Sequence, residues 1–221
     1  MAAEDSNDRA PSWDPGCYLT FGDQRLRPAL DLLGRVPNKE AEALVDLGCG
    51  PGNVTPFLRQ RFPEAAIYGV DNSSAMLAKA RQAQPNAIWI EDDIAAWHSE
   101  RPLDVIYSNA ALHWLPNHAE LFPRLLEQLR PGGSLAVQMP DTGSGQWREE
   151  LRQLAMEGPW AGNLAELIGP GNVLAPAAYH RLLAKPAQSL DIWRTDYLHV
   201  LEGDDAVFTW TSGAGARPFL D

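Results

Sequence analysis

Val45-Asp46-Leu47-Gly48-Cys49-Gly50-Pro51-Gly52 is the stretch on which the fold of this chain turns. Residues 43–47 are apolar apart from Asp46 and predict a buried strand. Glycines follow at 48, 50 and 52, and residues 54–62 then predict a helix. A strand that enters a glycine turn and leaves it as a helix is the first βα unit of a sheet that takes a nucleoside-containing ligand at its carboxyl edge. The glycines matter where a side chain would block the backbone's approach. Backbone N–H groups and the positive end of a helix dipole are expected beside the ligand.

Working outward, residues 21–33 place Leu26, Ala29, Leu30 and Leu33 at helical spacing, flanked by Arg25 and Arg27. Downstream, strands are predicted at 66–70, 87–90, 105–108 and 134–139, with helices at 74–83 and 119–129. This alternation predicts an α/β fold, a doubly wound and mostly parallel sheet with helices on both faces. Past Pro140 the pattern changes. Helical stretches at 146–157 and 164–168 lie among Gly158, Pro159, Gly162, Gly169, Pro170 and Gly171, which predicts a small helical insertion over the carboxyl edge, at about 141–188. Residues 189–200 alternate enough to predict a sixth strand, and 204–211 a short helix.

The chain's 221 residues suit one sizeable domain, expected over 13–221 behind a disordered polar terminus at 1–12. No apolar run approaches the roughly 20 residues of a membrane span. The acidic opening Met1-Ala2-Ala3-Glu4-Asp5 is no secretory signal. The two cysteines are Cys17 and Cys49, and Cys49 sits inside the glycine turn where a partner could hardly reach it, so a reduced, cytoplasmic protein is expected. A formal charge of -11, with arginines scattered rather than gathered, argues against nucleic acid as a partner. No metal site is expected, and the oligomeric state is not legible.

Asp46 narrows the ligand. A carboxylate there repels a pyrophosphate and attracts an ammonium, so S-adenosylmethionine (SAM) fits the turn Gly48, Cys49, Gly50 and Gly52 where a dinucleotide does not. A glycine turn with a helix-capping Asp is the alternative. Asp71 ends the next strand about 20 residues on, where an acid can accept from both ribose hydroxyls; otherwise it caps the following helix, although Asn72 or Ser73 could do so. In Glu91-Asp92-Asp93-Ile94, Asp93 is the first choice and Asp92 the second to accept from an adenine amino group, with the next backbone N–H donating to the ring. A solvated acidic loop is the alternative. Met76 covers the adenine or fills the core. Asn109 and Ala110 fall at the fourth strand's carboxyl end, where their backbone could meet the cofactor's amino acid portion.

Asp46-Leu47-Gly48-Cys49-Gly50-Pro51-Gly52, Gly69-Val70-Asp71, Asp93-Ile94 and Arg130-Pro131-Gly132-Gly133 resemble, in this order, the motifs of class I SAM-dependent methyltransferases, a Rossmann-like fold. Trp13-Asp14-Pro15, Tyr18 to Phe21, Arg25 to Pro28, Ser108 to Pro116 and Thr211 to Leu220 are similar to the trans-aconitate methyltransferases among them. The resemblance implies esterification of a carboxylate on a small polycarboxylic acid such as trans-aconitate, with S-adenosyl-L-homocysteine as product. The segment from Asn109 to Trp114 also resembles malonyl-carrier-protein methyltransferases, and a SAM-binding protein without catalysis is a third reading. His113 stands where relatives carry glutamine. The resemblance further implies a closing antiparallel hairpin, whose final strand no segment after Phe219 supplies, so a gap or exposed sheet edge is expected.

A carboxylate acceptor is ionised at neutral pH, so methyl transfer to it needs no general base, and positioning with desolvation is expected to carry catalysis. Cationic or donor groups should surround the acceptor: Arg25, Arg194 and Arg217, with Trp13, Tyr18, His113, Trp114 and Trp147 as walls or donors. Each has an ordinary reading as a solvated or packing residue.

Overall fold

The computed structural model describes residues 22–141, 146–164 and 171–212. The chain runs α1 (Gly22–Gly34), β1 (Ala43–Leu47), α2 (Thr55–Arg61), β2 (Ala66–Asp71), α3 (Ser74–Ala83), β3 (Ile88–Glu91) and β4 (Leu103–Asn109). A 3₁₀ turn at Leu112–Trp114 leads into α4 (His118–Glu127) and β5 (Leu129–Gln138), followed by α5 (Gln146–Glu157), α6 (Ala161–Leu164), α7 (Pro176–Leu183) and α8 (Ala206–Ser212). The sheet has five strands in the order β3-β2-β1-β4-β5, with every pairing parallel.

A parallel sheet is covered on both faces, so its central strands carry little polar surface. All five residues of β1 are buried, as are the first six of β4. Alternation sorts their side chains between two cores. Leu44, Ile67, Val105 and Tyr107 face α1 and α2, packing on Ala29, Leu33, Leu58 and Phe62. Val45, Leu47, Val70 and Ile106 face the other way, onto Leu121, Phe122 and Leu125 of α4 and Tyr179 and Leu183 of α7. At about 1.5–3 kcal/mol for each large apolar side chain buried, these two layers dominate the stability. Polar ties fix the strand ends. The Tyr107 hydroxyl donates to the Ala29 carbonyl at 2.7 Å, and Ser108 Oγ donates to the Leu47 carbonyl at 2.7 Å. Asp104 Oδ2 accepts from the Glu42 and Ala43 amides at 2.7 and 2.9 Å.

The doubly wound parallel sheet is as expected, and the chain departs from the sequence reading in two places. Residues 189–200 form no sixth strand. Side chains hold this segment to α1 and its end instead. Arg35 pairs with Asp191 at 3.3 Å and lies 4.2 Å over the Trp193 ring, Tyr197 donates to Asp31 at 2.7 Å, and Arg27 lies 5.2 Å over the Tyr197 ring. The alternation that imitated a strand comes from aromatic residues meeting a helix surface. The second departure is β5, which begins at Leu129 rather than 134. Leu129 pairs with Leu103 before a register shift, and Gly132, at φ +82°, returns the chain to the ladder at Ser134. Among the described residues no helix is long and apolar enough to cross a membrane.

Candidate functional site

The strand order places β1 and β4 side by side, although β2 and β3 intervene in sequence. Here the winding reverses, and loops leaving the carboxyl ends diverge to form a crevice. Gly48 lies at its bottom. A Cβ on Gly48 would fall 2.1 Å from Ala111 Cβ and 3.3 Å from Ile94 Cδ1, so only a glycine lets the loops after β1, β3 and β4 meet. Gly50, at φ +53°, has nothing within 4 Å of an added Cβ and faces open space.

The turn's amides are used differently from the sequence expectation. Gly48 and Cys49 N–H donate to the Val70 carbonyl at 2.8 and 3.1 Å, Gly50 N–H to Asp71 Oδ2 at 2.9 Å, and Gly52 N–H to the Cys49 carbonyl at 3.0 Å. All four donors are spent within the protein, so they do not face a ligand as a phosphate cradle would require. Backbone carbonyls of Val70 and Cys49 take three of the four, and Asp71 takes the fourth. Its carboxylate clamps the turn through Gly50 and also accepts from Ser73 N–H at 2.9 Å. A carboxylate has about four acceptor positions, which leaves room for two further donors. Asp71 is not the cap of α3: Ser73 Oγ accepts from Met76 N–H at 3.4 Å and fills that role.

Acceptor oxygens without partners collect at the same edge. Among the described residues, Asp46 Oδ2, Asn109 Oδ1 and Gln138 Oε1 are buried with no hydrogen-bond partner. They lie at the carboxyl ends of β1, β4 and β5, and Asn109 is in register with Gln138. Leaving such a group unsatisfied costs about 1–3 kcal/mol, which a donor-bearing ligand would relieve. Asp46 is 2% exposed. Burial first, and the neighbouring Asp71 charge second, push its carboxyl up to about 7. Burial also raises Asp71. Two carboxyls raised side by side favour a cation and disfavour phosphate. Burial and both acids push the Cys49 thiol well above its ordinary value, which leaves it protonated and inert.

The remaining residues of the sequence reading divide as follows. Asp92 and Asp93 are exposed; Asp92 Oδ1 accepts from Asp93 N–H and Asp93 Oδ1 from Ala95 N–H, both at 2.8 Å. Ile94 packs at the Gly48 slot, Asn72 is exposed, and Met76 is buried at the start of α3. Ala110 has φ +53°, strained for a residue with a Cβ, and donates its N–H to the Gln138 carbonyl at 3.0 Å. That kink aims the 3₁₀ turn, whose His113 and Trp114 rings lie 4.6 Å apart; Trp114 is 40% exposed. Arg194 is engaged by Asp141 and Asp196, each at 3.4 Å. Trp13, Tyr18 and Arg217 lie outside the described residues. Arg25 and Trp147 lie on the described backbone of α1 and α5, with side chains outside the description.

Sequence reasoning missed two residues here. Gln138 is a polar residue ending an apolar strand, the same signal that marked Asn109. Trp89 of β3 stands in register with Gly69, and a Cβ there would meet its ring at 2.3 Å, so the indole braces the glycine turn through Gly69 and Gly52. The pairing of a strand glycine with a large aromatic one strand away is visible only once the register is known.

Comparison with known proteins bears on this crevice. A family model described as a methyltransferase domain matches residues 18–185. The chain is 46% identical over 211 residues to the trans-aconitate 2-methyltransferase of Azoarcus sp. (strain BH72), covering 96% of this chain and 83% of that protein. It is 44% identical over 209 residues to the protein of the same name from Yersinia pseudotuberculosis, covering 94% and 81%. Two solved structures share the fold. The complex of the Haloferax volcanii Trm112 methyltransferase activator with a methyltransferase matches at TM-score 0.59 and 20% identity, over 77% of this chain and 72% of that one. The plantazolicin methyltransferase BpumL, in complex with a pentazolic desmethylPZN analogue and SAH, matches at TM-score 0.51 and 19% identity, over 77% and 65%.

Proposed function

The chain belongs to the SAM-dependent methyltransferase family, and on that premise we propose that it esterifies a carboxylate of a small polycarboxylic acid, trans-aconitate above all. One observation carries the donor half of this reading. A turn with its amides spent, ringed by the unpartnered oxygens of Asp46, Asn109 and Gln138, fits a cationic nucleoside and rejects a pyrophosphate. The acceptor half is supported by the relatives named trans-aconitate 2-methyltransferase.

Bound SAM supplies an electrophilic methyl on a sulfonium. In this proposal Asp71 accepts the ribose hydroxyls at its two spare positions, and Asp46 with the backbone at Asn109 and Ala110 faces the amino acid portion. Asp93, with Asp92 behind it, and Ile94 border the adenine. His113 and Trp114 wall the acceptor and exclude water, with Tyr18, Arg25, Trp147 and Arg217 as further contacts. The acceptor carboxylate is ionised near neutral pH, so these residues align the reacting oxygen and remove solvent but abstract no proton. We assign the activity to one domain over 13–221 in the cytoplasm.

The test is incubation of the purified chain with methyl-labelled SAM and a panel of polycarboxylates. Base-labile methyl esters on trans-aconitate support the reading. Label only on amines, phenols or a carrier-protein thioester refutes it.

A further inference from the structure

The 3₁₀ turn Leu112–Trp114 carries the side chains that wall the acceptor, and two consecutive carbonyls of this turn are held by side chains from outside it, one from the start of α4 and one from 59 residues away. Leu112 O lies 2.9 Å from His118 Nε2, and His113 O accepts from Asn172 Nδ2 at 3.3 Å. A carbonyl only accepts, so Nε2 carries a proton and donates to it. The Tyr179 hydroxyl is hydrogen-bonded to Nδ1 of the same ring at 2.5 Å, and its oxygen accepts from Leu174 N–H at 3.1 Å. A continuous hydrogen-bonded path thus runs from Leu174 through Tyr179 and His118 to Leu112.

Packing alone does not account for it. His118, Phe122 and Tyr179 form a buried ring cluster with centroids 5.0–5.9 Å apart, and apolar residues would fill that space without the cost of burying an imidazole and a hydroxyl. Those polar atoms tie the Leu174 amide to the Leu112 carbonyl. Ala110, just ahead of the turn, has a left-handed φ of +53°, so the backbone there is not held by its own preference.

We propose that Tyr179 and His118, with Asn172 as a second clamp, are positioning residues for the methyl acceptor, through which the 172–179 segment sets the place of His113 and Trp114. This rests on the reading of that turn as the acceptor wall. None of the three is hydrogen-bonded to Gly48 or Asp71, so the variants are expected to affect acceptor binding more than cofactor binding.

Tyr179→Phe deletes one oxygen and keeps the ring; Asn172→Ala removes the other clamp from a partly exposed site. Each is expected to raise the acceptor KM about tenfold, since a sub-ångström misplacement of a wall residue costs binding and alignment together. SAM affinity should stay within about twofold by calorimetry. Asn172→Asp, which keeps the shape but cannot donate when ionised, should behave as the alanine variant. The amides of Trp114 and Leu115, which close this turn onto Ala111 and Leu112, should exchange with solvent about tenfold faster, while those of β1 are unchanged. Unchanged KM and exchange, or an equal loss of SAM affinity, overturns the proposal. If Tyr179→Phe fails to fold, Asn172→Ala decides alone. If the wild-type chain esterifies no polycarboxylate, the functional reading fails, and the exchange measurement still decides whether these residues hold the turn.

Discussion

Replacement of Asp46 by asparagine is expected to stabilise the ligand-free protein and weaken its hold on SAM. Asp46 is 2% exposed, and its carboxyl is raised from 3.8 to about 7, by burial first and by the Asp71 charge second. In the folded state the ionised form is therefore disfavoured, and between pH 4 and 7 the native chain holds a proton that the unfolded chain has released. Stability then falls as pH rises through that window and levels off above 7. About three pKa units at 1.36 kcal/mol each make this cost about 4 kcal/mol at pH 8. Asparagine keeps the shape and never ionises. Urea unfolding of both ligand-free proteins from pH 4 to 8 should show curves that meet near pH 4 and diverge above it, with the variant more stable at pH 8. Asp71, whose carboxyl is raised in the same direction, contributes to both curves, and its coupling to Asp46 stays in their difference. Calorimetry should show the opposite order for SAM. Wild-type affinity should rise from pH 6 to 8 as Asp46 becomes a carboxylate facing a cation, while the variant binds more weakly with little pH dependence. A variant that is less stable than wild type at pH 8, or wild-type affinity that is flat over this range, refutes the reasoning.

Asp71→Ala removes the acceptor of both Gly50 N–H and Ser73 N–H and the site proposed for ribose, so SAM affinity should fall by at least about tenfold on calorimetric titration. Gly48→Ala forces a Cβ to within 2.1 Å of Ala111 Cβ at φ +72°, and urea unfolding should show a loss of about 1–3 kcal/mol or more. Gly50→Ala has the space that Gly48 lacks, so it should fold at a cost of about 1–2 kcal/mol for its φ of +53° and lose SAM binding because its methyl projects into the crevice. Trp114→Ala should raise the acceptor KM and leave SAM affinity within about threefold, as measured by initial rates and calorimetry.

What the sequence made legible was local. The strand, glycine turn and helix at 43–62 are set by residues close in the chain, and the structure forms them there. Contacts between distant segments were not legible. Gln138 joined Asn109 only through the register of β5 on β4, Trp89 came to the glycine turn through the register of β3 on β2, and His118 met Tyr179 across 61 residues. Residues 189–200 misled for the same reason. Alternation reports that side chains face two ways, but a strand needs a partner ladder, and here Asp31 and Arg35 supply side-chain partners in its place.

The spent amides also change what the glycine turn is for. A phosphate site needs donors aimed outward, and such a turn stores unsatisfied N–H groups until the anion arrives. In this chain Val70, Asp71 and Cys49 accept every one of those donors at 48, 49, 50 and 52, so the turn is rigid before any ligand binds. Among the described residues, the buried atoms without partners at these strand ends are oxygens instead, on Asp46, Asn109 and Gln138. The same strand–turn–helix plan thus carries the opposite electrostatic sign: the Val70 and Cys49 carbonyls take three of the four donors and Asp71 the fourth, while burial first and the Asp71 charge second raise Asp46. Selection of a cationic nucleoside over a dinucleotide then follows from where the donors have been used, rather than from the glycines, which both kinds of site require.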